Sequence, residues 1–67
     1  MKKIVEFIIN NVSIEKEELQ KIAEKLRENF KEKYRHVGVR ILPYFNEHGT
    51  QIGWKIVLIA ITIAGTD

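Results

Sequence analysis

The 67-residue chain has no cysteine, one proline, one serine and one tryptophan. Without cysteine there is no disulfide, no thiol nucleophile and no Cys-based zinc site. A domain this short hides only about 60% of its unfolded surface on folding, so its own core leaves a thin margin. With disulfides ruled out, close packing or association has to supply the rest. The single serine and two histidines offer no Ser-His-Asp arrangement. A long apolar run is also missing. The longest uncharged stretch, Ile56 to Thr66, is eleven residues, well short of the ~20 that a membrane-spanning helix needs. The apolar segment after Met1-Lys2-Lys3 is interrupted by Glu6, which does not suit a secretory signal. These features favour a soluble protein, with the cytoplasm as its default setting and no membrane partner.

Hydrophobic residues make up 45% of the chain, too many for a disordered segment, and the length accommodates one domain, residues 1–67. Lys3 to Ile9 reads as a strand that stops at Asn10-Asn11. Ser13 then suits a helix N-cap, followed by Glu15, Glu17 and Glu18 near the positive end of the helix dipole. Leu19, Ile22, Ala23, Leu26, Phe30 and Tyr34 form one apolar stripe about 120° wide, so a helix is expected from Ser13 to about Arg35. Thirteen of the twenty charges lie between Glu15 and Arg35, seven basic and six acidic. That balance describes a solvated face, and Glu18–Lys21, Glu24–Arg27, Glu28–Lys31 and Glu32–Arg35 are spaced to pair along it.

Val37 to Leu42 alternates as a second strand, and Pro43, which lacks an N–H, requires it to lie at a sheet edge or carry a bulge, an edge being the reading used for the strand order. Asn46-Glu47-His48-Gly49-Thr50 is a hairpin loop with Gly49 placed for positive φ. The third strand, from about Ile52 to Ile63, is apolar on both faces beyond Lys55, as an interior strand is. The fold expected is α+β, in the order β-α-β-β, with one helix on a three-stranded sheet of strand order 1-3-2.

One stripe covers one sheet face. The third strand offers Ile56, Leu58 and Ala60 to one side and Val57, Ile59, Ile61 and Ile63 to the other. Whichever row the helix leaves uncovered needs a partner. The expectation is a non-enzymatic, self-associating protein, an interaction module or scaffold of natural or designed origin. A homodimer is its commonest form, with Val57, Ile59, Ile61 and Ile63 as the interface row.

No catalytic residue, metal ligand set or cofactor is assigned. His36 and His48 lack a further ligand at metal-binding spacing and read as turn residues. Lys31, Lys33, Tyr34, Arg35, His36 and Arg40 come nearest to a nucleic-acid patch. Glu28 and Glu32 lie among them and the net charge is only +2, which disfavours that partner. Arg40, with Tyr44 and with Trp54 across the hairpin, is the candidate ligand site: a guanidinium fork beside stacking surfaces suits a planar anion.

Val39-Arg40-Ile41 followed by His48-Gly49-Thr50-Gln51-Ile52-Gly53 resembles the second strand and hairpin of the 4-oxalocrotonate-type tautomerases. That resemblance implies a hexamer and a substrate-carboxylate role for Arg40. The family's catalytic base is an N-terminal proline, where this chain opens Met1-Lys2. The β-α-β-β order and length are similar to the dodecins, which implies an oligomeric flavin-storing shell, with no residue carried over. A tautomerase-like enzyme or flavin-type binder using Arg40, Tyr44 and Trp54 is therefore the alternative function.

Overall fold

A computed structural model describes residues 2–63, and the side chains of Thr62 and Ile63 lie outside the described residues. The order is β1 (Lys3–Ile9), α1 (Lys16–Lys31), β2 (Tyr34–Phe45) and β3 (Gln51–Ile63). The sheet order is β1-β3-β2, with both outer strands antiparallel to β3. The fold is α+β as expected, with β3 in the centre and the Pro43-bearing strand at an edge.

The helix covers the even-numbered row of β3. Ile56 and Leu58 are fully buried, Ile56 under Leu19 and Ala23 and Leu58 under Leu26 and Phe30. Phe7 and Ile9 from β1, Val37, Val39 and Ile41 from β2, and Ile22, Leu26 and Phe30 complete this single layer. The Arg27 Nε–H donates to the Val37 carbonyl at 3.1 Å, fastening the last turns of α1 to the start of β2. Glu24–Arg27 and Glu28–Lys31 approach to 4.0 and 3.7 Å on the outer surface, where such pairs add little. The sequence left open which row the helix takes; packing chooses the one containing Ala60, whose small side chain sits at the crowded Phe30 end.

Both helix ends differ from the sequence reading. Ser13 is not the cap. Its N–H donates to the Asn11 Oδ1 at 3.1 Å, an Asx turn that redirects the chain after β1. The N-cap is Glu15, at φ −69° and ψ 144°, whose side chain makes no capping hydrogen bond. Ile14 and Leu19 flank that cap as a hydrophobic staple, and this packing fixes the start two residues later than Ser13. At the other end α1 stops at Lys31, and Tyr34 opens β2 while its ring stays against Phe30, 5.5 Å between centroids. Its apolar side chain therefore fits the helical stripe without belonging to the helix. His36 lies within β2, not in a turn, and takes φ 53°.

The hairpin loop is organised by Asn46. Its Oδ1 accepts from the N–H groups of His48 and Thr50, each at 2.9 Å, and its carbonyl accepts from Gly49 at 3.1 Å. Gly49 has φ 81°, as the sequence requires. Gly53 is glycine for a different reason: a Cβ there would collide with the carbonyl of Ile9, where the chain leaves β1 across β3.

Two stability outcomes follow from these contacts. Gly53→Ala should cost about 2–3 kcal/mol or prevent folding, because backbone has to move to admit the methyl. Glu15→Ser should stabilise by about 1 kcal/mol, because it completes a capping box with Glu18. Urea unfolding followed by circular dichroism reads both.

Candidate functional site

Cross-strand register determines what the sheet offers on the side away from the helix. Ile4 pairs with Ile59 and Gly38 with Ile59, giving the row Ile4–Ile59–Gly38. The next rows are Glu6–Val57–Arg40 and Ile8–Lys55–Leu42. Side chains alternate along each strand, so these three rows share one face. No other element of the described residues lies over it: α1 packs on the opposite side, and the molecule is a slab of 44 × 24 × 12 Å.

This face is apolar with a charged belt. Ile4, Ile8, Leu42 and Ile61 are 43–54% exposed, and Ile59 is half-buried. Val57 alone is buried there, flanked by the side chains of the central row. Lys55 reaches Glu6 at 3.4 Å and lies 5.8 Å from the centroid of the Tyr44 ring. Arg40 is exposed and has no partner among the described residues.

The three candidate ligand residues are not brought together. Arg40 and Tyr44 are on the open face, whereas Trp54 shares its parity with Ile56 and packs into the helix-side core. A register shift between Tyr44 and Phe45 is the cause: Phe45 pairs with Gln51 but Tyr44 pairs with Gly53. One inserted residue moves every side chain beyond it to the other face of the pairing. A flat ligand lying on one face of the sheet does not reach all three.

Trp54 instead borders an apolar pocket of about 350 Å³, together with Ile14, Lys16, Leu19 and Ile41. Its Nε1–H is buried without a hydrogen-bond partner among the described residues. Sequence reasoning missed this pocket; its residues come from three separate elements and the loop before the helix, so no local motif announces it.

The remaining candidates are scattered. His36 is exposed near the start of β2, and His48 is in the hairpin loop, 3.7 Å from Glu47. Among the described residues no cluster of three His, Asp or Glu side chains suits a metal ion. Lys3 lies 5.8 Å from the centroid of the Tyr34 ring, so that aromatic already has neighbours on the helix side and above it. Among the described residues no helix is long and apolar enough to cross a membrane. The chain matches no protein-family model, no curated protein and no solved structure, so neither the tautomerase nor the dodecin resemblance gains support from them.

The separation of Arg40 from Trp54 has a measurable consequence. Arg40→Ala should leave the Trp54 emission maximum unchanged, and riboflavin titrated into the two proteins should quench Trp54 to the same degree. Saturable quenching that Arg40→Ala abolishes would instead place a flavin against both residues.

Proposed function

We propose that this chain is a non-enzymatic, self-associating protein, an interaction module or scaffold whose working surface is the open face of the sheet. The observation that carries the reading is the exposure of Ile4, Ile8, Leu42 and Ile61, with Ile59 among them, on a sheet that the helix covers from one side only. Full burial of an aliphatic side chain is worth roughly 1.5–3 kcal/mol, so covering these half-exposed residues is worth about 1 kcal/mol each. An apolar patch of this kind, bordered by charges, is the usual mark of a protein interface.

A second copy of the chain is the favoured occupant, because the face carries charges of both signs, Glu6 against Arg40 and Lys55, and can complement itself. Val57, Ile59 and Ile61 form its central line along β3; Ile63, the fourth residue of the expected interface row, has its side chain outside the described residues. A closed dimer is the simplest product. The tautomerase-like and flavin-binding alternatives draw less support, since they call on Arg40, Tyr44 and Trp54 together.

Sedimentation equilibrium at micromolar concentration tests the reading. The wild-type protein should exceed the 7.9 kDa monomer mass. Ile61→Asp should dissociate it with the circular dichroism spectrum retained, because that side chain is 52% exposed and contributes little to the core. Leu58→Lys should unfold the chain, because Leu58 is completely buried under the helix. Glu24→Lys on the outer helix surface should change neither property. A well-folded wild-type monomer would overturn the proposal.

A further inference from the structure

We infer that the second copy docks by a two-fold axis running along β3, so that β1 of each subunit lies over β2 of the other. The inference rests on the self-association proposed above and deepens it by specifying the geometry. Two packed sheets keep their strands roughly aligned at about 10 Å separation. A two-fold axis between them can then run along the strands or across them, and the side-chain rows distinguish these two cases.

With the axis along β3, each cross-strand row meets a reversed copy of itself. Glu6 faces Arg40 of the partner subunit, and Arg40 faces Glu6 of the partner subunit. Val57 faces its own copy between them. With the axis running across the strands at Val57, Glu6 would face a second Glu6 and Arg40 a second Arg40. Like charges in register oppose association, whereas complementary charges at the margins of an apolar patch determine orientation and partner. Arg40 has no partner among the described residues of its own chain, so its guanidinium is available for this contact.

Lys55 also falls near its own copy about the strand-wise axis. Its ammonium is drawn aside to Glu6 at 3.4 Å. Each Glu6 carboxylate then accepts Lys55 from its own subunit and Arg40 from the other, and the two networks are equivalent by symmetry.

Gly38 supplies an independent observation. Glycine weakens a strand interior unless backbone or another molecule must come close. Among the described residues of its own chain Gly38 has no such reason: its φ is not positive, and a Cβ built there meets nothing of them within 4 Å. It belongs to the row Ile4–Ile59–Gly38, whose reversal places Ile4 of the partner subunit over the gap that Gly38 leaves. Ile4 is 54% exposed in the single chain, the most of the large apolar residues. The strand-wise axis thus accounts for a protruding isoleucine and a bare glycine together. The crosswise axis would set Ile4 against Ile8 and Gly38 against Leu42.

Charge exchange tests the geometry. Glu6→Arg and Arg40→Glu should each weaken the dimer at least about tenfold. An equimolar mixture of the two variants should restore association as the heterodimer, because both inter-subunit contacts then join opposite charges. Native mass spectrometry of isotope-labelled partners counts the hetero- and homodimers. Gly38→Val should raise the urea midpoint of the separated monomer, through better strand propensity, while weakening dimerisation. If the wild-type protein associates but either charge variant alone dimerises as tightly as it, or the mixture does not recover, or Gly38→Val dimerises as tightly as wild type, the strand-wise axis is wrong and self-association stands. If the wild-type protein is monomeric, the underlying reading fails instead.

Discussion

Everything in this fold follows from the contact between one helical stripe and the even row of β3. Ile56 and Leu58 reach zero exposure because Leu19 and Ala23 cover Ile56 while Phe30 and Leu26 reach over the Leu58 end. The strand itself is central, hydrogen-bonded on both edges, and so cannot turn either face toward an outer strand. A single helix has one apolar side to offer, and the odd row is what remains. The thinness of the molecule, 12 Å along its shortest axis, is the geometric statement of the same limit.

The turns serve that contact by returning the chain to the right layer. After β1, Asn11 closes an Asx turn and Ile14 enters the core before the helix has begun. The backbone leaving β1 presses on Gly53, so the crossover and the hairpin are packed against each other at this point. Asn46 plays the corresponding part in the hairpin loop at the same end of the sheet, by satisfying two loop N–H groups with one side-chain oxygen. Local turn chemistry and global packing agree at each of these positions, which is the consistency that a unique fold requires.

Strand order, the central place of β3 and the hairpin loop were legible from the sequence, because period-two alternation, Pro43 and Gly49 each have one physical meaning. The helix ends were not. Ser13 has the chemistry of an N-cap, but Asn11 claims its N–H and the Ile14–Leu19 staple sets the entry point. Tyr34 continues the helical spacing by coincidence of direction, since its ring meets Phe30 from the neighbouring strand. The candidate site was misplaced by a single residue of register. Pairing Phe45 with Gln51 and counting back without a shift would set Arg40 against Ile56 and put it on the face of Trp54. The irregularity after Tyr44 sets Arg40 against Val57 instead. Pro43 allowed a bulge near this point, but nothing local in Tyr44-Phe45 fixes where the pairing shifts.

The β2 edge of the sheet supports proposing association through the open face and not through that edge. An exposed edge strand invites another strand to pair with it, and irregular backbone prevents that. Along β2, Pro43 lacks an N–H, His36 departs to positive φ, and the pairing slips after Tyr44. Three interruptions within twelve residues leave no long regular ladder for a neighbour to extend. On the open face the regular alternation is unbroken from Gly38 to Leu42 and from Lys55 to Ile59. The side chains stand there in straight rows, with Glu6 and Arg40 at the two ends of the Val57 row and Lys55 in the row beside it. Exposed ion pairs such as Glu6–Lys55 contribute little to folding. Their chemical value lies in what approaches them: they disfavour a purely apolar surface and favour one carrying the opposite charges in the same register.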